Sequence, residues 1–216
     1  MKRLMRRYSR SWVFLYWLIY LPWFGWLEQN VTTGYYVIQS EWDSLIPFCE
    51  LFVVPYLLWF PFVALTIGWF FFHDKSDFYK LTAHLYLGMT IFLVISTIFP
   101  NGLALRPSVL PRDNIFTELV RMIWAVDTPT NVFPSLHVYN SISCCMAVLC
   151  SRELRQKTWV RVGTLGMTAA IVLSTMFLKQ HSVVDVACAM TLAWVMYELI
   201  YQTEPRPKRQ LAHENI

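Results

Sequence analysis

Six stretches of apolar residues constrain this chain more than any other feature of its sequence. They cover approximately residues 12–27, 51–72, 81–99, 134–150, 162–178 and 183–201. A helix of about 17 to 25 apolar residues can cross the hydrocarbon core of a bilayer, and the first and fourth stretches lie near the lower limit. We therefore predict an all-α fold, an integral membrane bundle of six transmembrane helices.

The composition agrees with a membrane protein. Of the 216 residues, 56% are hydrophobic and only 15% are charged, whereas an average soluble domain has about 25% charged residues. No Gly/Ser-rich or charge-rich linker separates two hydrophobic halves. We expect a single six-helix membrane domain over residues 1–205 and a short polar cytoplasmic tail over residues 206–216. This composition excludes a disordered, collagen-like or nucleic-acid-binding protein.

The basic residues predict which way the bundle crosses the membrane. Fourteen of them flank the predicted helices on one side: Lys2, Arg3, Arg6, Arg7, Arg10, Lys75, Lys80, Arg152, Arg155, Lys157, Arg161, Arg206, Lys208 and Arg209. By the positive-inside rule this side is cytoplasmic. Both termini are then cytoplasmic, and the loops near residues 28–50 and 100–133 are extracytoplasmic.

Residues 112–126, in the second of these loops, have a helical apolar pattern. The apolar positions on one face are Ile115, Leu119, Met122, Ile123 and Val126. Such an extracytoplasmic amphipathic segment is expected to lie along the membrane surface. Two interpretations are open: the segment guides a lipid headgroup towards a site, or it is an interfacial helix with no role in binding.

Ionisable residues within a membrane protein are costly and are usually paired or functional, and His181 and Asp185 are candidates for both. They are four residues apart, so on a helix their side chains share one face and the carboxylate can accept a hydrogen bond from the imidazole. That bond leaves the second ring nitrogen available as a nucleophile or base. Taken alone, the pair is equally consistent with His181 capping a helix and Asp185 pairing with Lys179.

Two further features fall on the same extracytoplasmic side. Ser135 suits the N-cap position of the fourth apolar stretch, where backbone N–H groups and the positive helix end attract an anion. His137 follows within one turn and can protonate a leaving oxygen, although it is also consistent with an interfacial histidine. Arg106 supplies a planar cation suited to phosphate oxygens. Together these residues can attack a phosphate, stabilise its charge and protonate the departing alcohol.

In this order and spacing the residues resemble the three motifs of the type 2 phosphatidic acid phosphatase superfamily. The first motif is Arg106-Pro107, the second is Phe-Pro-Ser-Leu-His at residues 133–137, and the third is Ser174 with His181 and Asp185. The resemblance spans residues 106–185, and six helices with an outward-facing site match the membrane members.

The resemblance implies a role for each motif residue. His181 is the expected nucleophile that forms a phosphohistidine, Asp185 its orienting carboxylate and His137 the general acid. No metal or other cofactor is implied. The residues expected to bind the phosphate are Arg106, Ser135 and Ser174.

The chain departs from the family pattern at two positions. Phe99 stands where the first motif usually has a lysine, and Thr175 where the third motif usually has an arginine. Lys179, which we include among the phosphate-binding residues, or Arg112 is expected to compensate in part. The second motif and the altered third motif are also similar to the inositol phosphorylceramide synthase branch, which transfers the phosphoryl group to an alcohol.

The sequence thus predicts a lipid phosphate phosphatase that hydrolyses a phosphomonoester or diphosphate lipid at the extracytoplasmic face. The expected partner is a membrane lipid phosphate substrate, and no nucleic acid is expected. The sequence predicts no particular oligomeric state. A lipid phosphotransferase is the nearest alternative. A small transporter is disfavoured because no internal repeat is visible and the polar residues gather at one surface. An inactive scaffold that keeps the motifs is a third alternative.

Overall fold

The computed structural model describes residues 10–202, and this part of the chain is mostly helical, as predicted. Its α-helices are α1 (Trp17–Asn30), α2 (Val53–His73), α3 (Lys75–Ile98), α4 (Ile115–Val126), α5 (Leu136–Cys150), α6 (Thr158–Phe177) and α7 (Val183–Tyr201). Short 3-10 helical segments are Ser11–Tyr16, Glu41–Ser44, Glu50–Phe52 and Leu154–Gln156. Strands β1 (Tyr36–Val37) and β2 (Asn101–Gly102) form one short parallel pair. The predicted tail and the basic residues at positions 2–7 lie outside the described residues.

Four helical segments of residues 10–202 are long and apolar enough to cross a membrane. They are Glu50–His73, Lys75–Ile98, Thr158–Phe177 and Val183–Tyr201. Helix α5 is apolar but has only 15 residues, and α1 has 14 because the six residues before it form a 3-10 segment. The predicted total of six spans therefore stays a prediction.

Helix α5 is the centre of the bundle and packs against α2, α3, α6 and α7. Its buried positions are mostly small, which allows close helix packing: Ser141, Ser143, Cys144, Cys145 and Ala147. The Ser141 and Ser143 hydroxyls donate to the carbonyls of His137 and Tyr139 one turn earlier, so their burial leaves no unpaired polar group.

Successive long helices run antiparallel, so the segments that connect them lie at two opposite ends of the bundle. Helices α2, α5 and α7 begin at one end, where the long loops at residues 31–52 and 99–135 also lie. The loop end carries Arg106, Arg112, Arg121 and Lys179, and the other end carries the seven remaining basic residues of the described chain: Arg10, Lys75, Lys80, Arg152, Arg155, Lys157 and Arg161. There Arg10 donates hydrogen bonds to the carbonyls of Phe70 and Phe71. The charge asymmetry used for the predicted topology is thus an asymmetry between the two ends of the bundle.

The amphipathic segment forms helix α4, and it has apolar residues on two faces. The inner face buries Val120 against Val53, Tyr56 and Leu178. The outer face exposes an apolar row spaced as one helical stripe, with Met122 64% and Val126 84% accessible. Since a soluble protein rarely exposes such a row, the outer face is suited to a membrane surface.

Replacing Gly88 by Ala should destabilise the bundle. Gly88 of α3 faces the ring of Tyr139, and an added Cβ would overlap that ring, whose hydroxyl also donates 2.7 Å to the His84 carbonyl. We expect a loss of about 1 to 3 kcal/mol, as for other overpacked cores, seen as a lower Tm in detergent. Gly163→Ala is the matched control because no atom lies within 4 Å of its added Cβ. Equal Tm values for the two variants would contradict this packing.

Candidate active site

A small cleft lies where helices α5 and α7 begin. Its cavity volume is about 60 Å³, enough for a few water-sized groups and therefore for a phosphoryl group but not a whole lipid. The lining residues are Phe24, Glu28, Phe92, Asp127, Thr128, Thr130, Asn131, Val132, Leu136, His137, Gln180 and His181. Both histidines singled out in the sequence thus line one cavity.

His181 lies just before helix α7, which Ser182 caps by accepting a hydrogen bond from the Val184 N–H group. Its Nδ1 lies 2.9 Å from Asp185 Oδ2, so the hydrogen bond predicted from the four-residue spacing is present. Asp185 is fully buried. Since Nδ1 donates to the carboxylate, Nε2 is the ring nitrogen that can accept a proton or attack an electrophile.

His137 is held at the start of helix α5 by aromatic rings. The ring centroids of Tyr56 and Trp59 each lie 4.5 Å from that of His137. The imidazole of His181 lies on the same cleft, 5.7 Å away between centroids. Two rings at this separation can approach one small group from two sides.

Arg106 is tied to the loops around the cleft. Its Nη1 donates 3.1 Å to the Trp124 carbonyl, and its Nη2 donates 2.6 Å to both the Asp127 carbonyl and Gln180 Oε1. Burial lowers the pKa of Arg106, while the nearby Asp127 and Tyr56 oppose this shift. A guanidinium remains charged at neutral pH, so this is a half-buried cation whose two terminal nitrogens are bonded to three oxygens.

Three residues that no sequence pattern singled out continue this network: Gln180, Asp127 and Tyr56. Gln180 Nε2 donates 2.9 Å to Asp127 Oδ2, and the same oxygen accepts 2.5 Å from the Tyr56 hydroxyl. Gln180 directly precedes His181, and the Tyr56 ring packs on His137. One hydrogen-bonded network therefore connects a residue next to His181 with a ring that packs on His137. Its members come from α2 and from two separate loops, so no local sequence pattern connects them.

None of the predicted phosphate-binding residues, Arg106 included, lines the cleft. Ser135 caps α5 by accepting from the Val138 N–H group, as the sequence predicted, and Ser174 donates 2.6 Å to the Ile171 carbonyl. Lys179 Nζ donates to the backbone carbonyls of Asp43 and Ile46. Burial lowers the pKa of Lys179, and Asp43 opposes that shift. Their roles in phosphate binding stay predictions.

The cations expected to compensate for Phe99 and Thr175 lie elsewhere. Arg112 pairs with Glu50 at 2.9 Å on the outside of the loops. Among the described residues that line the cleft there is no Lys or Arg, whereas Glu28 and Asp127 bring two carboxyl groups. Over residues 10–202, no group of three or more His, Cys, Asp or Glu is placed to hold a metal ion.

Asp43 also supports the site and was not singled out from the sequence. It is buried, and its two carboxylate oxygens accept 2.7 Å from the Ser182 hydroxyl and 2.8 Å from the Val183 N–H group. A carboxylate at this position satisfies the N-terminus of α7 and its positive dipole end. A local capping pattern joins Ser40 and Asp43, but nothing in the sequence links Asp43 to a helix 139 positions later.

Comparison with known families decides what this constellation is. The sequence matches the family model of the PAP2 superfamily over residues 84–209. The chain belongs to the PAP2 superfamily. Members of this superfamily are phosphatases or phosphotransferases, and with its long apolar helices the chain is a multi-pass membrane enzyme of phosphatase type. Comparisons with curated proteins and with solved structures found no match.

The matched range of the PAP2 superfamily contains the three motifs but not the whole cleft. Arg106, His137, His181 and Asp185 fall within residues 84–209. Glu28 and the supporting Asp43 and Tyr56 come from the part of the chain before it. The N-terminal helices therefore complete a site whose motifs lie further along the chain.

Replacing Arg106 by Lys should lower turnover at least about tenfold. An ammonium group lacks the planar fork that reaches the Trp124, Asp127 and Gln180 oxygens together, and each hydrogen bond to a charged group contributes about 1.5 to 3 kcal/mol. The measurement is phosphate release from a lipid phosphate substrate, with Tm recorded in parallel. Arg121→Lys is the control because Arg121 is exposed and pairs only at the surface, with Asp113 and Glu118. Wild-type turnover in Arg106→Lys would contradict this role.

Proposed function

We propose that this chain is a lipid phosphate phosphatase. It hydrolyses a phosphomonoester or diphosphate lipid without a metal, through a phosphohistidine intermediate, at the extracytoplasmic face of the membrane. The observation that carries the proposal is the arrangement of two imidazoles on one cleft, 5.7 Å apart, with one of them bonded to a buried carboxylate. This pairing provides a nucleophile with an orienting group beside a separate proton donor.

In the first step, His181 Nε2 attacks the phosphorus atom. A nitrogen–phosphorus bond forms, the phosphorus–oxygen bond to the lipid alcohol breaks, and protonated His137 gives its proton to the departing oxygen. Asp185 accepts the Nδ1–H bond of His181 throughout and stabilises the positive charge that develops on the ring.

In the second step, water attacks the phosphohistidine. Neutral His137 removes a proton from the water while the oxygen–phosphorus bond forms and the nitrogen–phosphorus bond breaks. Phosphate leaves, and both histidines return to their starting states. The same group thus acts first as an acid and then as a base.

The N-terminus of α5 is a fixed positive group beside the cleft, because Leu136 and His137 of its first turn line it. Ser135 caps this helix, and His137 lies in its first turn. A helix N-terminus presents N–H groups and a positive dipole end to an anion. Arg106, Ser174 and Lys179 complete the proposed phosphate-binding set. Arg106 and Lys179 hold the loops around the cleft through backbone carbonyls, and Ser174 lies near the end of α6.

The location of the cleft supports action on a membrane lipid. It lies at the end of the bundle opposite the basic residues near positions 73–80 and 150–161, which is the predicted extracytoplasmic end. The exposed apolar stripe of α4 lies at the same end, so a lipid tail can stay in the bilayer while its phosphate reaches the histidines. A transporter is less well supported because its polar groups would be expected near the midplane.

Replacing His181 by Ala should abolish turnover, with a fall of at least about a thousandfold. The variant should also form no acid-labile phosphoenzyme when mixed with a radiolabelled lipid phosphate in chelator. His73→Ala is the matched control, since His73 lies at the opposite end of the bundle, stacked on Trp69. A phosphoenzyme in His181→Ala would show that another residue is the nucleophile.

Replacing His137 by Ala should affect substrates according to their leaving groups. An alkyl phosphate needs a proton on its departing oxygen, so we expect a loss of about 10² to 10⁴ in kcat. An aryl phosphate with an acidic phenol leaves without that proton, so the first step should slow far less. The measurement is the phosphoenzyme formation rate with both substrates. Equal losses on the two would argue against an acid role for His137.

A further inference from the structure

The cleft contains a carboxyl group, that of Glu28, which the proposed hydrolysis does not use. Glu28 of α1 lines the same cavity as His137 and His181, together with Thr128 and Asn131. Glu28 Oε2 accepts 2.5 Å from the Thr128 hydroxyl, and Oε1 accepts 2.8 Å from Asn131 Nδ2. A carboxylate in a phosphate site is unexpected because the two anions repel each other.

Asn131 has a hydrogen-bonding oxygen that is not satisfied. The residue is only 5% exposed and has a left-handed backbone with φ 54°. Its Oδ1 is buried and has no partner among the described residues. A buried acceptor without a donor costs about 1 to 3 kcal/mol. A bound group that supplies an O–H donor would recover that cost.

The charges of the cleft restrict what can lie beside the phosphorus atom. Glu28 and Asp127 line it, and no Lys or Arg is among its described lining residues. A second phosphate next to Glu28 would therefore be repelled. A neutral hydroxyl would be attracted, because carboxylate and amide oxygens accept a hydrogen bond from it.

We propose that Glu28 and Asn131, supported by Thr128, form a subsite for a hydroxyl-bearing group next to the phosphorus atom. That group is a polyol such as glycerol, carried either by the substrate as its headgroup or by an alcohol that accepts the phosphoryl group in place of water. The inference rests on the proposed phosphohistidine chemistry. It disfavours diphosphate substrates and extends the chemistry to phosphodiester lipids and to transfer to an alcohol.

In the transfer step the acceptor alcohol takes the place that water has in hydrolysis. The acceptor oxygen bonds to phosphorus while the His181 nitrogen–phosphorus bond breaks. Neutral His137 takes the hydroxyl proton. A second hydroxyl of the same polyol donates to Glu28 or Asn131, which is why a polyol should be captured more readily than a simple alcohol of equal size.

The first arm of the test measures partitioning of the phosphoenzyme. The full chain in detergent receives phosphatidate in chelator with equal concentrations of glycerol or 1-propanol, and free phosphate and the alkyl phosphate are both quantified. We expect glycerol to be captured about tenfold better than 1-propanol. Glu28→Gln should lower the glycerol-to-water ratio about tenfold and leave the propanol-to-water ratio within about twofold. These ratios do not depend on how much of each variant is folded.

The second arm tests whether the hydroxyls belong to the substrate. Cleavage of phosphatidylglycerol is compared with cleavage of phosphatidylpropanol. In Glu28→Gln, kcat/KM should fall more for the glycerol lipid than for the propanol lipid. An effect in the first arm alone identifies an acceptor site, and an effect in the second alone identifies a headgroup site.

Two further variants keep the test decisive. Glu41→Gln is the matched control, because Glu41 is an exposed acid of the loop after α1 and should change neither comparison. Thr128→Val removes one hydroxyl from the cleft without altering the charge of Glu28, and it should lower the glycerol ratio by a smaller factor. If Glu28→Gln changes neither arm, or if wild-type protein does not distinguish glycerol from propanol, the subsite is overturned. Absence of both phosphoenzyme and phosphate release would instead overturn the proposed function, and the subsite with it.

Discussion

The site depends on one half-buried cation. Arg106 is held by the Trp124 and Asp127 carbonyls and by Gln180, and a charge that is partly removed from water needs such partners. Because Gln180 directly precedes His181, the guanidinium fixes the backbone from which the proposed nucleophile projects. Asp127 extends the same network to Tyr56, whose ring supports His137. Loss of this cation would therefore displace both imidazoles together.

The apolar bundle explains why the polar network can be rigid. Helix α5 is packed against four neighbouring helices, so its N-terminus, with Ser135 and His137, has little freedom to shift. Helix α7 is fixed at its start by Asp43 from a distant loop. The frame is thus assembled from the ends of helices and the loops beside them. Packing fixes where the helices lie, and the helices in turn fix where His137 and His181 lie on the cleft.

Local sequence patterns predicted the parts of the molecule that local physics determines. The apolar stretches became helices, the amphipathic segment became α4, Ser135 became a cap, and the spacing of His181 and Asp185 gave their hydrogen bond. The supporting contacts could not be predicted this way. Gln180, Tyr56 and Asp43 meet their partners across 53 to 140 positions, and periodicity carries no information at that separation. For the same reason the sequence did not reveal that Lys179 turns away to backbone carbonyls.

The two departures from the family motifs are consistent with a cleft of low positive charge. Phe99, in place of a lysine, stacks on Tyr36 with a centroid distance of 4.8 Å. Thr175, in place of an arginine, is fully buried and donates 2.7 Å to the Val172 carbonyl. An arginine there would bring an unpaired charge into the bundle at high cost. Both positions thus serve packing, and the phosphate proposed for this cleft would meet a helix N-terminus and two imidazoles where the family motifs usually have cations. Such surroundings favour a single phosphoryl group with a neutral, hydroxyl-bearing neighbour over a diphosphate, because each added negative charge would face Glu28 without a nearby cation to offset it.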